Sequence, residues 1–178
     1  MREVTPQEKA KMIELGQKLI RMRGEIIDAN TEIENILDGV IVYNLIKQEH
    51  HDLFSDMLLW ENFTFSTKVK MFGKLKLPDE LISTQENLVK RLNKMLEARN
   101  NFAHRLSLIH LNEVYLIGKD TKPFKIDDKK FKELLEEAIS IRESLEALYF
   151  YQKGITPEML ENAKTMWVDI KDIISPVD

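Results

Sequence analysis

The segment from Arg99 to His104, with the sequence Arg-Asn-Asn-Phe-Ala-His, holds the residue types in this chain that are best suited to chemistry. At about 100° per residue, Arg99 falls on the same side of a predicted helix as the apolar residues Leu92 and Met95. A guanidinium does not lose its proton. A buried Arg99 must therefore meet a carboxylate, a set of carbonyls, a ligand phosphate or a cavity.

Arg99 has two interpretations that the sequence leaves open. In the first, its aliphatic stem packs on the core while its head reaches water at the helix end, or pairs with Glu32 or Glu34. In the second, the guanidinium faces a cleft and waits for a phosphate. The two interpretations differ in what the guanidinium contacts.

Metal and thiol chemistry have little support in the residue types. The chain has no Cys, which excludes disulfides, thiolate metal sites and a Cys nucleophile. His50 and His51 are adjacent, so they point to different faces of a helix and lack the spacing of a zinc pair. Aromatic residues 149–151 could stack on bases, but at the end of an amphipathic helix they more often belong to a core or an interface. We expect no metal and no cofactor.

The charge of the chain is unevenly distributed. It carries 26 Lys and Arg against 30 Asp and Glu, which argues against non-specific coating of nucleic acid. Residues 61–110 nevertheless hold nine basic and five acidic residues. The basic residues near Arg99 and His104 form either a local anion-binding patch or ordinary solvated helix faces: Lys68, Lys70, Lys74, Lys76, Lys90, Arg91, Lys94 and Arg105.

Composition favours a helical, soluble and cytoplasmic protein. The 178 residues are 43% hydrophobic and include only 6 Gly and 5 Pro, which suits one helical core better than a many-turned β fold. No window approaches the roughly 20 apolar residues that span a bilayer, and the first residues lack the apolar stretch of a secretion signal. We expect no contact with a membrane.

Apolar residues recur at helical spacing through most of the chain. A first helix begins at the capping box of Thr5 and Glu8 and is predicted to run to about Ile27. Asp28 and Asn30 are predicted to interrupt it, and a second helix ends near residue 48.

The later elements follow from the same pattern. A short helical turn is predicted within residues 50–65, and Gly154 is predicted to end the longest later helix. Further helices are predicted to begin near Ser66, near Ser83, at Asp127 or Asp128, and at Thr156. The fold class is therefore all-α: an up-and-down bundle of about five to six helices with a small β-hairpin near 113–125, in a single domain over residues 1–178.

The segment Arg99–His104 resembles the Rx4–6H motif of the HEPN superfamily, which comprises helical domains of prokaryotic toxins, CRISPR-associated ribonucleases and ribonuclease L. The resemblance extends over residues 30–106. A helix that opens with Glu32 and Glu34, and a Phe-Ser-Thr-Lys-Val stretch at 65–69, precede the motif. This order is also similar to the mannitol-repressor group.

The resemblance implies a homodimer in which two Arg/His pairs face one cleft, and in catalytic members this cleft cuts RNA without a metal. A ribose 2′-hydroxyl attacks the adjacent phosphate, with His104 as acid and base, Arg99 as phosphate clamp and Asn100 orienting one of them. On a continuous helix Arg99 and His104 are about 140° apart. They converge only if the helix bends near Phe102 or if a two-fold axis joins two copies.

Two hypotheses of function follow. The first is an RNA-binding HEPN-type domain with a site of Arg99, Asn100 and His104, which acts as a metal-independent endoribonuclease where the site is active. RNA and a protein partner such as an antitoxin are its expected partners. The second is a non-enzymatic regulatory or protein-interaction module of the mannitol-repressor kind. Many HEPN domains do not cut RNA, so the resemblance alone does not decide whether the chain is an enzyme.

Overall fold

The structure, a computed structural model, describes residues 5–46, 50–57, 63–110, 113–117 and 124–155. Most residues in these ranges are helical, so the predicted helical fold class is confirmed. The described α-helices are α1 (Pro6–Leu45), α2 (His51–Met57), α3 (Phe65–Phe72), α4 (Ile82–His104) and α5 (Asp128–Gln152). The helix predicted from Thr156 lies outside the described residues. No described helix carries an apolar stretch of the length that a bilayer crossing needs.

α1 is one uninterrupted helix of 40 residues, so the predicted break at Asp28 and Asn30 is wrong. The apolar stripe stays in phase across this point, because Ile26, Ile33 and Leu37 are all fully buried. The Asn30 side chain adapts to the helix by donating from Nδ2 to the carbonyl oxygen of Ile26, one turn earlier, at 2.8 Å. Packing of the long stripe therefore outweighs the local preference of Asn and Asp for helix ends.

The predicted caps are present at both long helices. The Thr5 side chain accepts a hydrogen bond from the backbone of Glu8, whose carboxylate accepts one from the Thr5 backbone. At the start of α5, Asp127 Oδ1 accepts from the backbone nitrogen of Lys130 at 2.8 Å. α5 ends just before Gly154, which has a φ of 69° that favours glycine.

α5 runs parallel to α1 with a constant offset of 110 residues. Lys18 Nζ donates to Asp128 Oδ2 at 2.6 Å, near the start of both helices. Near their ends Gly39 faces the ring of Tyr149, and a Cβ atom at Gly39 would lie 3.3 Å from a ring carbon. The absence of a side chain at Gly39 lets the two helices keep this close contact.

The core has two parts, one beside each half of α1. The residues that α4 contributes to each part show how α4 is oriented relative to α1. The first core gathers Leu19, Met22, Ile26, Phe102, Leu116 and Phe131. The second core joins the C-terminal half of α1 to α3, to the middle of α4 and to the C-terminal half of α5. Since the end of α4 packs with the first half of α1 and its middle with the second half, α4 runs antiparallel to α1.

A three-stranded antiparallel sheet connects α4 to α5. Its strands, in spatial order, are β1 (Leu106–His110), β2 (Glu113–Ile117) and β3 (Phe124–Ile126). The pairing of Val114 with Ile126 and of Leu116 with Phe124 forms the hairpin that the sequence predicts near 113–125. β1 was not predicted. Leu116 is fully buried, so the sheet closes the first core next to the end of α4.

Candidate functional site

The predicted site residues lie at the C-terminal end of α4. Arg99 is partly buried, whereas Asn100 and His104 are exposed. α4 remains helical through His104, and Arg105 leaves the helix with extended backbone angles, φ −83° and ψ 142°. The bend that would bring Arg99 to His104 within one copy is therefore not found.

The unbroken helix fixes how the three side chains are spread. Arg99 and His104 project about 140° apart around α4. Asn100 precedes His104 by four residues, so these two side chains are neighbours on one face. One copy thus presents His104 with Asn100 on one side of α4 and Arg99 on another.

Arg99 has neither of its predicted partners. Glu32 accepts a hydrogen bond from Arg142 Nη1 at 2.8 Å, at the same offset of 110 residues that relates α1 to α5. Glu34 pairs with Lys68, with 2.8 Å between its Oε1 and Nζ. Within the described part of the chain, no hydrogen bond or ion pair joins the Arg99 side chain to another residue.

Lys68 of α3, a second cation among apolar residues, is fully neutralised. Its side chain is only 3% exposed, and Nζ lies 2.7 Å from Asp38 Oδ2 as well as 2.8 Å from Glu34 Oε1. Burial raises the pKa of Asp38 above its ordinary value, against the hydrogen bond and the charge of Lys68, which lower it. Among the described residues, Lys68 has two carboxylate partners and Arg99 has none.

Arg23 of α1 holds the end of α4 in place. Its Nη2 donates to the carbonyl oxygen of Arg105 at 2.7 Å, directly after His104. A cation is favourable at a helix C-terminus, where backbone carbonyls are unpaired. The Nε atom of Arg23 is buried without a hydrogen-bond partner among the described residues. Sequence reasoning missed Arg23, although its place one turn before Ile26 was a signal that it faces the interior.

Asn30 lies where the two cores meet. It is fully buried, and its Oδ1 atom has no hydrogen-bond partner in the described structure. On α1 it sits between Ile26 of the first core and Ile33 of the second. On α4, Arg99 likewise lies between Met95 of the second core and Phe102 of the first core. The buried Oδ1 of Asn30 and the Arg99 guanidinium, neither of which has a partner among the described residues, therefore lie at one level of the bundle.

The basic residues near the motif divide into engaged and free side chains. Lys68 is buried, and Arg91 donates from Nε to Glu137 at 2.7 Å, so neither belongs to an anion-facing patch. On α4, Lys90 and Lys94 lie about 40° and 80° around the helix from His104. The following lysines are exposed and have no ion pair among the described residues: Lys70, Lys74, Lys76, Lys90 and Lys94.

One cavity lies beside the motif, and another lies at the opposite end of α4. One of about 220 Å³, between α4 and α5, is lined by residues that include Asn101 and Phe102. The other, of about 630 Å³, lies at the start of α4 and the segment before it. Arg99, Asn100 and His104 line neither cavity. Among the described residues, no three His, Asp or Glu side chains are grouped to hold a metal ion.

Comparisons of the chain with protein-family models, with curated proteins and with solved structures returned no match. The chemistry of the site is therefore judged from its own geometry. One face of α4 offers an imidazole beside an amide, and another offers a cation with no counter-charge among the described residues. An imidazole can move a proton at a phosphodiester and a guanidinium can bind one, but within one copy the unbroken helix keeps these two groups on different faces.

Proposed function

We propose that this chain is an RNA-binding domain of the HEPN type that works as a homodimer. In the dimer, Arg99 of one copy and the Asn100 and His104 pair of the other face one phosphodiester. RNA binding is the core of the proposal, and metal-independent cleavage is the reaction that these residues support. A regulatory module of the mannitol-repressor kind, which binds a protein partner through the same surface, is the alternative.

The observation that carries the proposal is that Arg99 is partly buried and has no ion pair or hydrogen bond from its side chain to any described residue. Partial burial of a guanidinium without a counter-charge costs stability. The same bundle places two carboxylates beside Lys68, so elsewhere the fold does neutralise a buried cation. Groups that work against folding in this way are typical of binding sites.

The proposed reaction is a transesterification. The ribose 2′-oxygen attacks phosphorus and the bond from phosphorus to the 5′-oxygen of the next nucleotide breaks, which leaves a 2′,3′-cyclic phosphate and a free 5′-hydroxyl. His104 of one copy takes the proton of the 2′-hydroxyl. His104 of either copy then returns a proton to the leaving 5′-oxygen. Arg99 offsets the charge that develops on the phosphoryl oxygens. Asn100 orients the His104 ring, because the two side chains share a face.

The exposed lysines of α4 support the proposal that the ligand is a nucleic acid. Lys90 and Lys94 lie on the exposed side of the helix near His104. Over the 14 residues from Lys90 to His104 the helix rises about 21 Å, a length that several nucleotides of a single strand can follow. Positive charge along this path would bind phosphates without selecting a sequence.

Cleavage of end-labelled single-stranded RNA in EDTA tests the proposal. We expect products with 2′,3′-cyclic phosphate ends, and we expect His104→Ala to lower the rate by about 10²–10⁴-fold while RNA affinity stays within a few-fold. His50→Ala, an exposed histidine outside the site, is the matched control and should leave the rate unchanged.

Three outcomes would count against parts of this proposal. A requirement for a divalent metal, or full activity of His104→Ala, would contradict the mechanism. RNA binding without any cleavage would leave a binding domain and remove the enzymatic part. Absence of RNA binding would favour the protein-interaction module.

A further inference from the structure

The N-terminal half of α1 presents isoleucine side chains to solvent. Ile13 is 62% exposed, Ile20 is 70% exposed and Ile27 is 36% exposed. They are spaced by seven residues, so successive members differ by only about 20° around the helix. The core-facing residues of the same stretch lie about 100° or more from Ile20. The three isoleucines therefore form a second apolar stripe, which no described element of the bundle covers.

Two glycines lie between the isoleucines on the same side. Gly16 and Gly24 are each about 40° from Ile20 around the helix. A Cβ atom built at either glycine would meet no other atom within 4 Å. The surface is therefore open there, and another helix could approach the α1 backbone closely.

The pattern is the same in both directions from Ile20. Ile13 and Ile27 are seven residues before and after it, and Gly16 and Gly24 are four residues before and after it. A two-fold interface requires such self-complementarity, because each residue contacts the symmetry mate of its partner. A second α1 that runs antiparallel, with Ile20 against Ile20, places isoleucine opposite isoleucine and glycine opposite glycine.

Charge favours the antiparallel arrangement over the parallel one. Lys9 lies on the same side of α1 as Ile20, and Asp28 lies at its edge. Neither side chain has an ion-pair partner among the residues that the structure describes. Antiparallel pairing about Ile20 brings Lys9 of each copy opposite Thr31 of the other, one turn from Asp28. Parallel pairing would set Lys9 against Lys9.

We infer that the α1 face, made of Ile13, Gly16, Ile20, Gly24 and Ile27, is the surface on which a second copy of this chain docks antiparallel. The strip is about 22 Å long and about 10 Å wide, or about 220 Å² per copy, against the roughly 800 Å² that a stable interface buries on each partner. The contact must therefore extend to a neighbouring element, and Arg23 shows which one.

Arg23 lies about 60° from Ile20 around α1 and is bonded to the carbonyl of Arg105, so the end of α4 flanks the α1 face. In the antiparallel pair the two Arg23 residues are about 9 Å apart along the helix axes and on the same side. The C-terminal ends of the two α4 helices, one from each copy, then lie along the same edge of the interface. This link to the site at His104 rests on the proposed function, whereas the docking surface does not.

Single cysteines test the surface, since the chain has no native Cys. Under mild oxidation at micromolar concentration, Ile20→Cys should form a disulfide-linked dimer. Ile13→Cys mixed with Ile27→Cys should cross-link with each other in preference to themselves. Ile139→Cys, at an isoleucine of α5 that is 48% exposed, is the matched control and should stay monomeric on denaturing gels.

A charge at the two-fold axis provides a second measurement. Ile20→Glu should raise the dimer dissociation constant at least about tenfold in sedimentation experiments, because two carboxylates would meet, while Ile139→Glu should not change it. Ile20 is largely exposed, so circular dichroism of Ile20→Glu should match that of the unmodified chain.

Two results would overturn the inference. Cross-linking of Ile20→Cys at the level of Ile139→Cys would exclude the surface, and self-linking of Ile13→Cys as fast as linking to Ile27→Cys would exclude the antiparallel arrangement. None of these measurements involves RNA. A chain that cross-links as stated but does not bind RNA contradicts only the proposed function, whereas one that binds RNA but does not cross-link through Ile20→Cys contradicts only the docking surface.

Discussion

Lys68 and Arg99 both interrupt apolar stripes, and the fold surrounds them differently. Lys68 is buried between Glu34 and Asp38, and its charge is balanced twice. Arg99 stays partly buried at the end of α4 with no described side chain to balance it. The two residues therefore serve as each other's control in a test that separates a structural cation from a functional one.

Arg99→Ala should change the free energy of unfolding by less than about 1 kcal/mol, because no ion pair is lost, while RNA affinity falls. Lys68→Ala should cost about 3–5 kcal/mol, because it leaves Glu34 and Asp38 without their cation. Urea denaturation and RNA binding of both variants make the comparison. A loss of several kcal/mol for Arg99→Ala with unchanged RNA binding would make Arg99 a structural residue and remove the proposed site.

Asp38 should give the stability of this chain a pH dependence of its own. Burial raises its folded-state pKa above the ordinary value of 3.8, so its contribution to stability is fully present below pH 3.8 and is lost as pH rises through the raised value. Asp38→Asn removes the buried charge and leaves Lys68 paired with Glu34. The variant should therefore be more stable than the wild type at pH 7.

The gain from Asp38→Asn should shrink as pH falls through the raised folded-state pKa of Asp38, because the folded protein then carries this side chain in its neutral form. Urea denaturation of both proteins between pH 4 and 7 measures the difference. A gain that grows on acidification, or a loss at pH 7, would show that the charged form of Asp38 is the one that the fold favours.

At the scale of elements, α1 shows what the sequence could and could not predict. Its N-terminal cap was predicted correctly, because a capping box depends on residues within one turn. Asp28 and Asn30 suggested a break, yet the phase of the stripe carries the helix through them. Arg23 was missed because its role depends on the carbonyl of Arg105, 82 positions away. The types and spacing of a motif are local, whereas the contacts that support it are not.

Asn30→Leu should stabilise the fold by about 1 kcal/mol, because it replaces a buried oxygen that has no described partner with an apolar group of similar size. If the oxygen serves the site near Arg99, RNA affinity should fall as stability rises. Asn93→Leu is the control. Asn93 makes the same bond, from Nδ2 to the carbonyl of Val89 at 2.9 Å, but on an exposed face.

The pair of substitutions at Asn30 and Asn93 is compared by thermal and urea unfolding together with RNA binding. We expect a change within about 0.5 kcal/mol for Asn93→Leu, as for other surface positions. A loss of stability in Asn30→Leu would mean that its hydrogen bond to Ile26 outweighs the unpaired oxygen.

At the scale of the whole molecule, the departure from a pure helical bundle lies beside the motif. The predicted hairpin became a three-stranded sheet, because β1 follows α4 directly and pairs with β2. The β1 sequence, Leu-Ser-Leu-Ile-His, breaks the alternation of apolar and polar residues at Ile109, so its pattern alone does not indicate a strand. The sheet closes the first core at the level of Phe102, so it fixes the end of α4 from which His104 projects.

The parallel pairing of α1 with α5 also decides when this chain can fold during its synthesis. α1 contacts every other described helix, and its partners on α5 follow it by 110 residues. At about 5–20 residues per second, a ribosome needs roughly 5–20 s to add them. Throughout this time α1 has been synthesised with its apolar residues exposed, because α5, which covers many of them, has not yet been synthesised. A nascent chain of this kind suits chaperones that bind exposed apolar segments until α5 has been made and can pack on α1.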